Sequence, residues 1–414
     1  MTTYGRPLIL VLLAAASAGA NDWTEFRGPT GQGLSTATGV PVKWSATSGV
    51  AWKVKLPGAG WSSPVLAGGR LYLTAAEGSP AAGGVSLRAL CIDAAAGRVI
   101  WNVEVFRPEP AETGVIHGKN SLASPTPIVA DGRLYVHYGH MGTAALDLDG
   151  QVLWRQTGLK YAPVHGNGGS PTLVGDHLVF GCDGLPDPFL VALDRGTGKV
   201  AWKTPRTGGP AYTFSFSTPL VIEVGGALQV VSPASGYVAA YDPRGGREIW
   251  RVRYGKGYSV VPRPVFVHGL LFVGTGYDGQ GLLAIDPSRA QGDVTDTRIR
   301  WTLKRGAPLT PSPLAVGDEL YVVSDNGIAT CVDARTGRVH WTERLGGGFS
   351  ASPVHAGGHV YFLSEEGATT VVKAGKTYER LATNELGERA LASPAVTNGS
   401  VFLRTEPHLW RIGG

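Results

Sequence analysis

The sequence predicts an all-β protein, an eight-bladed β-propeller of four-stranded antiparallel blades. Three observations lead to this prediction. The 414 residues include 60 Gly and 28 Pro, which suits many short strands joined by tight turns, while 43% hydrophobic residues and 11 Trp are too many for a disordered chain. A spacing of Asp-x3-Gly-x3-Trp recurs along the chain, and eight apolar stretches each begin with a Pro. Repeats of this length are typical of propeller blades.

The Asp-Gly-Trp spacing predicts the turn between the third and fourth strands of a blade. Each Asp closes one apolar run and each Trp ends the next, so the Asp side chain can cap the turn while the Gly adopts a positive φ. We expect each Trp to be buried against a neighbouring blade. The motif stands at Asp93/Gly97/Trp101, Asp194/Gly198/Trp202, Asp242/Gly246/Trp250 and Asp333/Gly337/Trp341, in shortened form at Asp147/Gly150/Trp154, and around an insertion at Asp286 and Trp301.

The Pro signature predicts the first two strands of each blade. A small polar residue precedes nearly every Pro, and a short turn and an aromatic-rich strand such as RLYLT follow. Pro is tolerated at the first residue of a strand, where its missing N–H breaks no ladder bond. The eight positions are Pro64, Pro127, Pro171, Pro219, Pro264, Pro313, Pro353 and Pro394.

The last blade predicts how the ring closes. Only three strands follow Pro394, and residues 50 to 55 read as an unpaired strand near the other end of the sequence. We therefore expect this N-terminal strand to complete the eighth blade and remove an open sheet edge. Blade 7 lacks its Trp, and we expect Leu381 in that position.

The first twenty residues are typical of a secretory signal. Arg6 supplies the positive charge, residues 8 to 16 form a short apolar run, and Ala18-Gly19-Ala20 makes a cleavage site before Asn21. The apolar run is too short for a stable transmembrane helix, and no Cys follows the cleavage site to carry a lipid anchor. We expect residues 1–20 to be removed and residues 21–414 to form one domain, in the periplasm or secreted, with no transmembrane segment.

Charge and cysteine content exclude some partners. The net charge is +5 and no run of Lys or Arg exceeds two residues, so we expect no nucleic-acid partner. Cys91 and Cys331 share one repeat position that is Ala in four other blades, which favours buried structural thiols over a disulfide.

Strand order brings the loops of varied length to one face of the propeller. Convergent polar side chains at the mouth of its central funnel predict a pocket for a small molecule, a glycan or an envelope protein. The alternative is that these residue types serve the turns themselves. The candidates are His117, Lys119, Asn120, His165, Asn167, Tyr258, Asp278 and Asp325.

Arg263 breaks the repeat, because the other residues before the inner-strand Pro are Ser or Thr. A guanidinium near the top of an inner strand should point toward the axis or its mouth, so Arg263 is the strongest candidate for contacting an anionic ligand. The alternative is a structural strut between blades.

Common catalytic signatures are missing from the sequence. We find no H-E-x-x-H, P-loop, GxSxG or Cys-x2-Cys spacing, so we assign neither catalytic residues nor a metal site.

The repeat as a whole resembles that of the pyrroloquinoline-quinone (PQQ)-like propeller family, over nearly all of the mature chain. The family includes PQQ-dependent alcohol dehydrogenases and the periplasmic scaffold of outer-membrane protein assembly, and the FRGPTGQGLS run is similar to a subgroup of PQQ-binding-like propellers. The chain lacks the adjacent Cys pair and a recognisable calcium triad of the dehydrogenases.

The resemblance leaves three functions open. We favour a monomeric binding or scaffold propeller without enzymatic activity. The alternatives are a PQQ-dependent oxidoreductase, with calcium beside the quinone, and a structural component of the cell envelope.

Overall fold

Each repeat forms one antiparallel four-stranded sheet, and eight such sheets surround a central axis, which confirms the predicted fold. One of the sheets gains a fifth strand, which pairs parallel to its outer edge. The computed structural model describes residues 22–79, 84–114, 116–209 and 214–414. The predicted signal peptide lies outside these residues. The first strand of each blade is the innermost, and inner strands of neighbouring blades contact one another around the axis.

Blades 1 to 8 follow the order of their inner-strand Pro residues in the chain. Blade 1 contains Val65–Ala67, Arg70–Ser79, Gly84–Asp93 and Val99–Phe106; blade 2 contains Ile128–Ala130, Arg133–His137, Thr143–Asp147 and Val152–Gln156. Blade 3 contains Thr172–Val174, His177–Cys182, Phe189–Asp194 and Val200–Pro205; blade 4 contains Leu220–Val224, Ala227–Pro233, Tyr237–Tyr241, Glu248–Arg253 and the added strand Gly292–Asp293. Blade 5 contains Val265–Val267, Leu270–Gly274, Leu282–Ile285 and Ile299–Leu303; blade 6 contains Leu314–Val316, Glu319–Val323, Ile328–Asp333 and Val339–Arg344. Blade 7 contains Val354–Ala356, His359–Leu363, Ala368–Lys373 and Arg380–Glu385; blade 8 contains Ala395–Thr397, Ser400–Arg404, His408–Gly413 and Val50–Lys55.

Helices are short. The described ones are the 3-10 turns Pro110–Glu112 and Gly139–Met141 and the α-helix Thr295–Arg298. Among the described residues, no helix combines the length and apolar character needed to cross a bilayer.

The recurring Trp and Gly dock one blade onto the next. Trp154 of blade 2 donates its indole N–H to the carbonyl oxygen of Arg195 in the blade 3 turn, at 3.1 Å. A Cβ added to Gly198 in that turn would lie 2.4 Å from the Trp154 ring, and Gly198 has φ +72°. The motif therefore needs Gly for its backbone conformation and for the approach of the preceding Trp. Trp101 makes the same bond to Leu148 of blade 2 at 3.1 Å.

Ring closure follows the prediction. Strand Val50–Lys55 pairs antiparallel with His408–Gly413, and Trp52 lies opposite Arg411. The indole N–H of Trp52 donates to the carbonyl oxygen of Ala94 in blade 1, so the closing strand also joins the last blade to the first.

The prediction for blade 7 was wrong by one residue. In blade 1 the Trp101 position pairs with Cys91, and the matching pair in blade 7 is Ala382 with Val371. Ala382, not Leu381, therefore replaces the Trp, because the repeat length before this strand differs.

Residues 22–36 form a segment that crosses the central channel, which we call the plug. Trp23 exchanges both backbone hydrogen bonds with Leu66 of blade 1, and the Thr24 carbonyl accepts the N–H of Val129 in blade 2. Further along the plug, Gly33 and Ser35 bond the backbone of His355 in blade 7, and the side chain of Gln32 accepts the N–H of Phe266 in blade 5, opposite blade 1. The plug thus satisfies free inner-strand edges of blades 1, 2, 5 and 7 and obstructs the channel.

The three cysteines are free thiols with fully buried side chains. Cys91, Cys182 and Cys331 lie in three different hydrophobic clusters between blades, so they cannot pair without unfolding the ring.

Candidate functional site

A ring of hydroxyl groups encircles the axis at the start of the inner strands. Each hydroxyl belongs to the Ser or Thr before an inner-strand Pro and accepts the backbone N–H of the matching residue in the preceding blade. Ser63 N–H donates to Thr126 at 2.9 Å, and Ser393 N–H donates to Ser63 at 3.1 Å, which links the last blade to the first. We call this ring the hydroxyl collar; its members are Ser63, Thr126, Ser170, Thr218, Ser312, Ser352 and Ser393.

Arg263 takes the eighth position of the collar. Its backbone N–H donates to Ser312 as the repeat requires, but its side chain crosses the channel beneath the collar. The guanidinium donates to the carbonyl oxygen of Pro219 (3.1 Å), to the hydroxyl of Thr172 (3.3 Å) and to the carbonyl oxygen of Phe26 in the plug (2.7 Å).

The plug covers the Arg263 guanidinium from the other side. A Cβ added to Gly31 would lie 2.5 Å from Nη1 of Arg263, and the carboxylate of Glu25 lies 3.7 Å from the same nitrogen. Arg263 is 1% exposed, and burial lowers the pKa of its guanidinium while Glu25 raises it. These contacts make Arg263 a strut between blade 5 and blades 3 and 4, the alternative weighed from the sequence, and they also join it to the plug, which the sequence did not predict.

Above the collar lies a funnel of about 340 Å³ that opens on the face with the varied loops. Collar hydroxyls and the Phe26 side chain form its base, and Arg263 is not among the residues that line it. The remaining walls consist of Trp61, His117, Lys119, Asn120, Ser124, His165, Gly168, Phe214, Phe216, Tyr258, Ser259, Val261, Tyr277, Thr310, Ser350, Leu391 and Ala392.

Five residues predicted from the sequence meet in this funnel: His117, Lys119, Asn120, His165 and Tyr258. The rings of His117 and His165 lie edge to face with centroids 5.5 Å apart, and the Asn120 amide donates to the His165 carbonyl at 3.0 Å. The ammonium of Lys119 pairs with Glu365 of blade 7 at 2.7 Å. The loops that follow blades 1 and 2 and a loop of blade 7 are therefore tied together at the mouth.

An aromatic wall faces these polar groups and was mostly missed from the sequence. The ring of Phe214 lies 5.8 Å from that of Phe216 and 5.4 Å from that of Tyr258, and Tyr258 in turn lies 6.2 Å from Tyr277. The signal was present in the FSFST and GYDG loops, but aromatic residues in this fold are more often core.

The other three predicted residues lie outside the funnel. Asn167 is buried in a second cavity of about 350 Å³, where it bonds His140 and Tyr161. Asp325 accepts the backbone N–H groups of Leu309 and Thr310 with one carboxylate oxygen. Asp278 is exposed in a turn with φ +58°. For Asn167 and Asp325, these contacts are the structural roles expected of such residues in turns and loops.

The funnel does not offer the donors that a calcium-bound quinone needs. Calcium is held by oxygen ligands that usually include carboxylates. No Asp or Glu is among the residues lining the funnel, and within the described ranges no group of three His, Cys, Asp or Glu side chains is placed to hold a metal ion. The residues that line the funnel therefore do not fit a bound calcium ion.

Comparison with known proteins places the propeller in a family. A family model described as outer membrane protein assembly factor BamB matches residues 81–232 and 290–381, more than half of the chain. The chain belongs to this PQQ-like propeller family.

The relatives that match in sequence include both a dehydrogenase subunit and an assembly factor. Methanol dehydrogenase [cytochrome c] subunit 1 of Methylobacterium organophilum is 29% identical over 175 residues, 36% of this chain and 26% of that protein. BamB of Burkholderia pseudomallei is 28% identical over 232 residues, 53% of this chain and 55% of that protein. The chain thus spans about a quarter to a half of the length of the relatives it matches.

Solved structures share the fold at low identity. A europium-containing methanol dehydrogenase superposes with a TM-score of 0.70 at 13% identity, covering 94% of this chain and 91% of that one. BamB of Moraxella catarrhalis superposes with a TM-score of 0.62 at 13% identity, covering 87% of this chain and 96% of that one. These similarities show the fold alone.

Proposed function

We propose that the chain is an exported binding propeller that holds a small molecule in its central funnel. One observation carries this proposal: the plug and Arg263 close the channel beneath the hydroxyl collar, so the funnel is a blind cup and not a passage. A concave site of this size, apolar on one side and polar on the other, can bury most of a small ligand.

The walls of the funnel supply both apolar contacts and hydrogen bonds to a ligand. Phe214, Phe216 and Tyr258 offer ring faces and edges to an apolar part of the ligand. Asn120, the imidazoles and the collar hydroxyls offer hydrogen bonds that fix its orientation.

The polar groups of the funnel are arranged for binding more than for acid–base chemistry. Nδ1 of His117 accepts the backbone N–H of Lys119, and the hydroxyl of Ser124 donates to Asn120 instead of to an imidazole. A nucleophile needs a base within hydrogen-bond reach, and that base is usually oriented by a third group. These contacts support a binding module over an enzyme.

A second candidate is a scaffold for envelope proteins, which the match to the assembly factor favours. It would use the same loop face. The quinone-dependent oxidoreductase suggested by the match to methanol dehydrogenase is disfavoured by the lack of carboxylates among the residues that line the funnel.

Export is tested separately. We expect mass spectrometry of the secreted protein to give a chain that begins at Asn21.

The binding proposal is tested by thermal melting with a library of sugars, organic acids, amines and PQQ with calcium. A ligand at about a hundred times its dissociation constant stabilises the folded state by roughly 2.7 kcal/mol. Ser350→Trp fills the funnel from the blade 7 side, and Lys199→Trp, in an exposed turn outside the funnel, is the matched control.

We expect at least one compound to stabilise the unmodified protein and Lys199→Trp but not Ser350→Trp. Stabilisation that survives in Ser350→Trp, or a library without effect, would overturn the proposal. Stabilisation by PQQ with calcium that brings dye-linked alcohol oxidation would favour the oxidoreductase.

A further inference from the structure

We infer that a movable loop controls access to the funnel. Residues 117–120, which we call the strap, lie across the mouth of the funnel and are held there by a charged latch. When the latch opens, the strap moves into the second cavity and the mouth widens. The inference rests on the proposed binding function, because it describes how a ligand reaches that site. Three features carry it: the position of the strap, the exposure of its latch and the empty space behind it.

The strap connects loops on two sides of the mouth. It belongs to the connection between blades 1 and 2, and three of its residues line the funnel. On one side, the carbonyl oxygen of His165, ahead of blade 3, accepts the backbone N–H of His117 at 3.3 Å and the side-chain amide of Asn120 at 3.0 Å. On the other side, the ammonium of Lys119 reaches Glu365 of blade 7. The strap therefore joins the loops of blades 3 and 7 along the rim.

The latch consists of two contacts with loops of blades 7 and 8. The ammonium of Lys119 pairs with Glu365 at 2.7 Å, and the guanidinium of Arg389 donates to the carbonyl oxygen of Gly118 at 2.7 Å. Arg389 also lies over the ring of Trp61 in the funnel wall. Both cationic side chains are exposed, and ion pairs of this kind contribute little to stability because water and salt screen them. The latch can therefore open at a small cost in free energy.

Empty space lies behind the strap. Ile116, Ser121 and Leu122, directly before and after it, line the second cavity of about 350 Å³, whereas the strap itself lines the funnel. Close-packed regions resist movement, because any shift creates an overlap or a void. A loop with a cavity on each side is free of that constraint. Movement toward the second cavity widens the mouth without displacing the neighbouring blades.

The second cavity is able to receive the strap. Its polar groups already bond one another: Asn167 bonds His140 and Tyr161, and Lys160 pairs with Glu112 at 2.6 Å. Among the described residues that line this cavity, no buried polar side-chain atom lacks a hydrogen bond. Nothing there requires a tightly bound water or ion that the strap would have to displace.

Labelling of a cysteine inside the funnel measures how far the mouth opens. Thr310→Cys places a thiol on the wall after blade 5, opposite the strap, and the three native thiols are fully buried. N-ethylmaleimide and N-(1-pyrenyl)maleimide are both uncharged and react by the same addition, but they differ in size. The ratio of their labelling rates reports access through the mouth, since the reactivity of the thiol itself cancels.

Variants of Lys119 test the latch in this background. Lys119→Met removes the charge at similar length, and Lys119→Arg keeps it; methionine avoids the new repulsion that a carboxylate would meet from Glu365 and Glu366. We expect the ratio of pyrenyl to ethyl labelling to rise by up to about five-fold in Lys119→Met, the range of an exposed ion pair, and to stay unchanged in Lys119→Arg. Lys373→Met, which removes an ion pair with Glu379 outside the funnel, should have no effect. Raising the salt concentration should increase the ratio when Lys119 is present and not in Lys119→Met.

Filling the second cavity tests the direction of the movement. Ala162→Trp adds bulk at an exposed position in the wall of that cavity. Combined with Lys119→Met, it should return the labelling ratio to that of the latched protein, whereas the exposed control Lys199→Trp should leave it raised. A ratio that stays raised with Ala162→Trp would overturn movement into the second cavity.

A labelling ratio that responds neither to Lys119→Met nor to salt would overturn the strap itself. The salt series needs no change at the latch, so a poorly folded variant of Lys119 does not remove the test. All of these measurements are made without a ligand. Failure of the binding proposal would appear in the ligand titrations and leave the labelling rates as they are, so the two failures are distinguishable.

Discussion

The guanidinium of Arg263 donates a 2.7 Å hydrogen bond to the carbonyl oxygen of Phe26, a residue 237 positions away in the chain. This contact joins an inner strand of blade 5 to the plug at the axis of the ring. It explains why the collar has Arg at one position where the other blades have Ser or Thr. It also helps to close the channel beneath the funnel.

Replacing Arg263 with Ser should destabilise the fold. The sequence alone suggests that this change restores the repeat and is tolerated, but the structure shows that it also removes the partner of Glu25 and three hydrogen bonds. We expect a loss of about 3 kcal/mol in the free energy of unfolding, measured by urea denaturation. Arg300→Ser, which removes an exposed ion pair of the same blade, should cost less than about 1 kcal/mol. Equal costs would contradict the strut.

Gly31→Ala tests the packing of the plug on the guanidinium. The new Cβ would meet Nη1 of Arg263 at 2.5 Å. Gly69→Ala is the control, because Gly69 also has a positive φ, +75°, but has nothing within 4 Å of the added atom. We expect Gly31→Ala to lower stability by about 1–3 kcal/mol more than Gly69→Ala, and this excess to shrink when Arg263→Ser is also present. An excess that persists in the double variant would place the strain elsewhere.

Acid should weaken the closure of blade 8 through Glu388. Although burial opposes its ionisation, hydrogen bonds with Lys53 of the closing strand, Thr405 and His408 lower the pKa of Glu388 from 4.5 to about 2. A carboxylate with a lowered pKa stabilises the fold above its unfolded pKa, and this contribution is lost as the pH falls from about 4.5 to about 2. Melting temperatures of the unmodified protein and Glu388→Gln should therefore differ at pH 6 and converge near pH 2. A difference independent of pH would argue against the ionised carboxylate.

Truncation distinguishes what the closing strand contributes to stability from what the plug contributes. A chain that starts at residue 21 should fold as the mature protein does. A chain that starts at residue 49 keeps strand Val50–Lys55 but loses the plug, so it should remain monomeric and melt earlier. A chain that starts at residue 56 also exposes the outer edge of blade 8 and should aggregate. Light scattering and thermal melting distinguish the three, and an unchanged melting temperature for the last would refute the closure.

The three thiols should be protected in the native protein and free once it unfolds. Burial raises the pKa of Cys91 to about 11 and that of Cys331 to about 12, and the thiolate is the reactive form. Alkylation at pH 8 should leave the native protein unlabelled, and the unreduced, denatured protein should gain three labels by mass spectrometry. Two missing labels, restored by a reductant, would reveal a disulfide.

The sequence was sufficient to predict the structural features that recur from blade to blade. Turn, docking Trp and inner-strand Pro each occur several times, so their common role could be separated from local variation, and the closing strand followed from counting strands. The plug could not be predicted, because its contacts with Leu66, Val129 and His355 occur once each and leave no periodic signal.

The site was predictable only where chain position determined it. His165 and Tyr258 each precede an inner-strand Pro by six residues and both reach the funnel. Asn167 and Asp325 are of residue types equally suited to loops and to ligands, and only their hydrogen bonds show that they hold the protein's own structure. The sequence showed that Arg263 departs from the repeat, but its contact with Phe26 of the plug could not be predicted.

The pairing of residues 50–55 with residues 408–413 also sets the order in which the molecule can be assembled. Residues 50–55 find their partner strand only after the strands of blades 1 to 7 have been made, so those blades must form while the ring is still open. Contacts between such distant parts of a chain form slowly, and open sheet edges favour association with other chains meanwhile. The same strand that seals the finished propeller thus leaves it with an open edge until blade 8 is complete.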